Sequence, residues 1–332
     1  MDLEKRINLF LSLHETLKSA ELREEWAKLA SNENRWFTED NVQQALIAIA
    51  GWLTREEIEN WLRNYDFSTI GAPKNVGVIL AGNIPLVGFH DIFCVIMSGH
   101  SLHLKLSSDD RVLPQKLIQL LQEFNPLLQQ KIFIADQLKG MDAIIATGSD
   151  NTSRYFEYYF SKVPHIIRKN RTSVGILTGE EEEQDIALLG NDIFQYFGLG
   201  CRNVSKLFVP QDYDVTTLFP HWQKFEKVAD HNKYFNNYEY NKAIYLVNRD
   251  VFLDNGFVML KEDKSLVSPV SVIFYERYSD MKEIKSFLKE SKEKIQAVIG
   301  KGEGMIPFGQ AQCPSLSDYA DGVDTMKFLL KL

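Results

Sequence analysis

A chain of 332 residues, 45% hydrophobic and 25% charged, has the composition of a globular protein long enough for more than one core. Its net charge of −8 argues against a nucleic-acid binder, which needs a basic face, and no run of ~18 apolar residues is there to span a membrane. The acid-bearing N-terminus does not read as a signal peptide, and three widely spaced cysteines (Cys94, Cys201, Cys313) form neither a disulfide framework nor a zinc motif, which points to the reducing cytoplasm.

Residues 1–66 read as helices. Leu3, Ile7, Phe10, Leu11 and Leu17 make one apolar stripe at helical spacing, and Thr54 with Glu57 predicts a capping box for a helix reaching Tyr65. The pattern changes at Pro73. VGVIL at 76–80 is a short continuous apolar run, the mark of a strand buried on both faces. Pro85 then suits the first turn of a helix and Gly99 its end, before a second strand, SLHLKL, at 101–106. Strand, helix and strand at this spacing make a βαβ unit and a parallel sheet. The alternation continues with a helix after Pro114, strands at 131–135 and 142–146, and a helix over 152–162, completing a doubly wound α/β domain.

Beyond Pro164 the chain predicts HIIRK, a strand at 173–177, and a long helix over 180–198. The acidic run Glu180 to Glu183 sits where the helix dipole favours negative charge. Further strands are expected at 206–210, 242–247 and 268–278, and a helix over 281–299. The organisation expected is a helical N-terminal region (1–66), a dinucleotide-binding domain (67–165), a catalytic thiol domain (166–305) and a C-terminal return segment (306–332).

Cys201 is the sharpest chemical candidate. It ends GLGC, and glycines at 198 and 200 permit a tight bend and leave room beside the sulfur; a buried, inert thiol is the competing reading. Cys94 lies among Phe93, Val95 and Ile96 and belongs to a core, while Cys313 sits in a loop with its role open. Asn83 falls between a buried strand and a helix, on the sheet's carboxyl edge, where its amide could face a developing oxyanion or cap a turn. Lys105 closes the second strand on the same edge, either meeting an anion or ribose or snorkelling to water. Gly148 and Ser149 follow a strand and precede a helix, a perch for a pyrophosphate. His100 and His103 point to opposite faces of their segment and do not make a metal pair, and Asp318, Asp321 and Asp324 read as surface residues. There is no G-x-G-x-x-G, no P-loop and no Ser-centred elbow.

These segments come in an order that resembles the aldehyde dehydrogenase superfamily. VGVILAGNIPLVG resembles its strand with asparagine and proline, HLKLSS its KPSE segment, ATGS its FTGS turn, FGLGCRNVSKLFVP its nucleophile segment, and SPVSVIFYERY its GPV strand. RKNRTSVGILTGEE and the ending IPFGQAQCPSLSDYADGVDTMKFLLKL resemble one branch of it, the acyl-CoA reductases of the LuxC type. The resemblance implies an aldehyde-dehydrogenase-like α/β fold and a thiol nucleophile at Cys201. Asn83 and the backbone N–H of Cys201 would then form an oxyanion hole, with Lys105 at the adenosine ribose and Ser149 at the pyrophosphate.

Departures from the pattern carry information. The superfamily's water-activating glutamate falls near Arg168, which suits an enzyme that keeps its acyl group from water. The KPSE glutamate is Ser108, which eases entry of a 2′-phosphate and favours NADPH over NADH. The glutamate of E-x-F-G-P-V is Ser265, and Leu199 stands where the family has glutamine. The expected reaction is NAD(P)H-dependent reduction of the thioester of an acyl-CoA, or of an acylated partner protein, to an aldehyde. An NAD-linked aldehyde dehydrogenase and a non-catalytic nucleotide-binding subunit of an acyl-transfer complex are the alternatives. By the same resemblance the chain would be a homo-oligomer.

Overall fold

The structure is a computed structural model that describes residues 1–69 and 71–332, the side chains of residues 69 and 150 excepted. The chain divides into two compact units, residues 1–170 with 315–332, and residues 171–314.

The first unit opens with four helices: α1 (Leu3–Leu17), α2 (Ala20–Glu33), α3 (Glu39–Trp52) and α4 (Arg55–Leu62). Asp2, Ser19, Thr38 and Thr54 cap them, each side chain accepting the backbone N–H three residues on, as the sequence led one to expect at Thr54. Helix α4 stops at Leu62, short of Tyr65, whose hydroxyl is committed elsewhere, to Tyr319 and Asp324. Next come β1 (Asn75–Ile79), α5 (Phe89–Ser98), β2 (Ser101–Lys105), α6 (Val112–Phe124), β3 (Ile132–Ile134), β4 (Ala143–Thr147), α7 (Asp150–Phe160) and β5 (His165–Arg168). The five strands form an all-parallel sheet in the order β3-β2-β1-β4-β5. The chain winds outward from β1 on one side and then crosses to β4 on the other, so the order reverses beside β1. Pro85 is not in the first turn of α5. Residues 85–88 form a turn with Leu86 at φ +51°, and the helix begins at Phe89. Gly99 ends α5 at φ +85°, a conformation that favours glycine.

The second unit contains β6 (Thr172–Ile176), α8 (Glu183–Phe194), β7 (Val204–Pro210), α9 (Leu218–Trp222), α10 (Asn232–Asn248), β8 (Leu253–Asp254), β9 (Met259–Glu262), β10 (Val272–Tyr278), α11 (Met281–Glu290) and β11 (Ile295–Ile299). Its sheet runs β11-β6-β7-β10-β9-β8, parallel except for the β8–β9 pair. Three expectations are corrected here. Residues 242–247 are helix, not strand: α10 buries Tyr234, Tyr238, Asn241 and Tyr245 at helical spacing and leaves Leu246 and Val247 exposed. Residues 295–299 are strand, not the end of a helix, with Ile295, Ala297 and Ile299 buried in alternation. The helix expected over 180–198 ends at Phe194, and Tyr196, Phe197 and Gly198 follow in left-handed conformations.

The chain then returns to the first unit and closes with α12 (Thr325–Leu329), which packs on α5. One apolar core joins the N-terminal helices, the inner strands, α5, α6 and this return segment. No helix among the described residues is long and apolar enough to cross a membrane.

Candidate active site

In the first unit, the sequence candidates gather on the carboxyl edge of the parallel sheet. Asn83 lies exposed in the connection from β1 to α5. Lys105 is the last residue of β2, opposite Ile79 of β1, and its carbonyl accepts the N–H of Leu80. Ser108 is exposed in the loop that follows. The loops carrying Asn83 and Ser108 press together: a Cβ added at Gly82 would lie 2.5 Å from Ser107 Oγ and 3.0 Å from the Asp110 nitrogen. Gly82 is therefore a requirement of close approach rather than of chain flexibility.

Gly148 and Ser149 leave β4 on the other side of β1. The Gly148 N–H donates to the Arg168 carbonyl at 3.2 Å, and a Cβ on Gly148 would meet Phe156 at 2.9 Å. Ser149 is the N-cap of α7, accepting the N–H of Thr152 at 3.3 Å and sharing a 2.9 Å hydroxyl contact with it. The switch point between β1 and β4 is where open parallel sheets bind nucleotides, with a helix N-terminus beside it for phosphate. Lys105, Ser108, Gly148 and Ser149 on that edge fit a dinucleotide.

Arg168 ends β5, yet its side chain turns inward and is only 4% exposed. Its guanidinium donates to the buried Asp91 of α5 and, at 2.8 Å, to Thr325 Oγ1 at the start of α12. Burial alone would lower its pKa, but the charge and hydrogen bond of Asp91 outweigh this and raise it. This position thus holds a structural tie between strand, helix and return segment.

Cys201 belongs to the second unit. It is partly exposed, between α8 and the amino end of β7. Its backbone is held from both sides. Gly200 O accepts the N–H of Asn203 at 3.0 Å, closing a turn over residues 200–203, and Ser173 Oγ donates to the Cys201 carbonyl at 3.0 Å. Asn203 is the centre of the arrangement. Its Oδ1 accepts the Gly200 N–H at 2.8 Å, while Nδ2 reaches the carbonyls of Asp192, Ile193 and Gln195 at 3.1, 3.3 and 2.8 Å. One buried amide therefore caps the frayed end of α8 and fixes the turn that carries the thiol. Sequence reasoning missed Asn203, although an Asn two residues after the candidate thiol is itself a turn former. Asp192 ties the 309–311 segment to α8 by accepting the N–H groups of Gly309 and Ala311, and burial pushes its carboxyl up to about 6.

The other thiols differ. Cys94 is fully buried in α5, and burial raises its pKa well above the ordinary thiol value. Cys313 lies in a loop, exposed as a residue but with its thiol partly covered, and that desolvation together with Asp192 raises its pKa. His100 is buried, with Nε2 on the Leu329 carbonyl and Nδ1 taking the Lys74 N–H, while His103 stacks on Phe133. Ser265 is held in the second unit through its carbonyl, which accepts from the buried Lys206 ammonium.

Two α/β units built on largely parallel sheets, with helices at the N-terminus, give this chain an aldehyde-dehydrogenase-like fold. The solved structures it resembles include the NAD-dependent aldehyde dehydrogenase of Sinorhizobium meliloti, with a TM-score of 0.68 at 11% identity, covering 96% of this chain and 72% of that one. They also include aldehyde dehydrogenase 21 of Physcomitrella patens, in complex with the product succinate (0.63, 14%, 91% and 74%). A third is the NAD+ complex of the aldehyde dehydrogenase of Bacillus cereus (0.61, 14%, 90% and 72%). The model of the LuxC acyl-CoA reductase family matches residues 2–216, and the chain belongs to that family. No curated protein matches it.

Proposed function

We propose that this chain reduces the thioester of an acyl-CoA, or of an acylated partner protein, to an aldehyde through an acyl-enzyme on Cys201. The observation that carries the reading is the turn at 200–203, where a partly exposed thiol is held by Asn203 and Ser173 at the amino end of β7. Membership of the LuxC family supports the same chemistry.

In this reading residues 67–165 bind the dinucleotide and residues 166–305 supply the thiol. Lys105 holds the adenosine ribose, and Gly148 and Ser149 hold the pyrophosphate at the start of α7. Ser108, with no carboxylate to repel a 2′-phosphate, favours NADPH, with NADH the alternative. Bound there, the nicotinamide supplies hydride that takes a thioester to the aldehyde level. The chain's own part is acyl transfer. The Cys201 thiolate attacks the thioester carbonyl carbon, a C–S bond forms, and the bond to the CoA sulfur breaks, releasing CoA thiolate. By the family resemblance, Asn83 and the Cys201 N–H would be the donors to the oxyanion formed in that step, and one such donor contributes about 3 kcal/mol.

Arg168 favours this reading over an NAD-linked aldehyde dehydrogenase. Its side chain is buried against Asp91 and Thr325, so that position offers no base to deliver water to the acyl-enzyme. The test is oxidation of NADPH, and of NADH in parallel, across a panel of acyl-CoAs of different chain length. Acyl-CoA-dependent oxidation with aldehyde as product is expected. Turnover only of aldehyde with NAD+, in the absence of CoA, would replace this reading with the oxidising one. Dinucleotide binding with no turnover in either direction would leave a non-catalytic subunit.

A further inference from the structure

We infer that Asp110 is a positioning residue that holds the Asn83-bearing turn against the loop carrying Lys105 and Ser108; the inference rests on the reading that Asn83 serves the oxyanion. Asp110 is 3% exposed, and its Oδ2 accepts the N–H of Leu86 at 2.8 Å. Leu86 adopts φ +51°, a left-handed conformation that a branched side chain enters only under constraint. The hydrogen bond from its N–H supplies that constraint and fixes the direction in which residues 83–85 leave β1. Gly82 and Ser107 press the same two loops together from the other end.

The rest of the loop is anchored from below. Glu33, at the end of α2, accepts the N–H groups of Arg111 and Val112 and faces Asp110, and Asn34 donates to the Asp109 carbonyl. Asp110 Oδ1 has no partner among the described residues. A buried oxygen with no donor, facing a second carboxylate, suits the neutral acid, and burial together with Glu33 raises the group to about 7. The neutral form explains why asparagine should replace this residue. It keeps an oxygen for the Leu86 N–H and carries no charge.

The experiment uses the full-length protein and two reactions of Cys201. Acylation by labelled acyl-CoA needs the oxyanion donor; alkylation by iodoacetamide does not. Asp110→Ala is expected to slow acylation at least about tenfold while alkylation stays within about twofold, and Asp110→Asn to restore acylation. Gly82→Ala, which separates the same loops while keeping the Asp110 carboxyl group, gives the same split and serves if Asp110→Ala fails to fold. Acylation at the wild-type rate in either variant overturns the inference. So does parallel loss of acylation and alkylation, or an Asp110→Asn protein no better than Asp110→Ala. If the wild-type protein takes up no acyl label, the proposed function fails, and amide exchange then decides on the tie itself. Residues 81–88 should exchange faster in Asp110→Ala than in wild type and recover in Asp110→Asn, whereas unchanged exchange refutes the tie.

Discussion

The two loops proposed to carry the chemistry are held in different ways. At the edge of the first unit, position comes from close packing. Gly82 sits against Ser107 and Gly148 against Phe156, and the Leu86 N–H donates to the buried Asp110 carboxyl group. At the thiol, position comes from hydrogen bonds to backbone, with Asn203 and Ser173 gripping the turn. Packing is intolerant of added atoms, whereas a hydrogen-bonded turn is intolerant of lost ones. Each can therefore be broken by a substitution that leaves the other intact.

The largest effect is expected deeper in the first unit. Arg168→Ala leaves the Asp91 carboxylate buried without its cation and detaches Thr325, which should cost about 3–5 kcal/mol in denaturant unfolding. Replacing Arg168 and Asp91 together by apolar residues of similar volume should recover most of that loss, because no uncompensated charge remains.

Next is the pH dependence of Asp110. Its carboxyl is raised from 3.8 to about 7 in the folded protein, so folding takes up a proton between those values. The stabilisation is complete below the unfolded value and is lost as pH rises through the folded one, a change on the order of 4 kcal/mol for a shift of this size. Thermal unfolding from pH 4 to 8 should show wild type losing stability relative to Asp110→Asn. Parallel curves would remove Asp110 as the source.

The thiol turn gives a graded pair. Asn203→Ala strands three carbonyls and the Gly200 N–H and should cost about 2–3 kcal/mol, with loss of Cys201 reactivity toward iodoacetamide. Ser173→Ala removes one bond to the Cys201 carbonyl and should cost about 1 kcal/mol, with a smaller change in the same reactivity.

The contrast also explains what could be read in advance. The β1, β2 and β4 strand ends were legible because buried parallel strands are continuous apolar runs, and Asn83, Lys105 and Ser149 follow from where those runs stop. Cys201 stood out through its glycines. Asn203, Asp110 and the inward turn of Arg168 were not legible, because each acts through a partner distant in sequence or through burial that no local pattern records. The apolar run at 242–247 fits strand or helix alike, and the helical spacing is carried by tyrosines and an asparagine rather than by that run. The strand at 295–299 follows α11 across residues 291–294, which contain neither glycine nor proline to mark the break.

All of this chemistry depends on the sulfur of residue 201 becoming the carrier of the acyl group. The most direct test incubates the protein with labelled acyl-CoA in the absence of dinucleotide, then digests it and maps the label. The account predicts one thioester, on the peptide containing Cys201, absent from Cys201→Ala and sensitive to hydroxylamine. Label on Cys313 or Cys94, or label retained by Cys201→Ala, would contradict it.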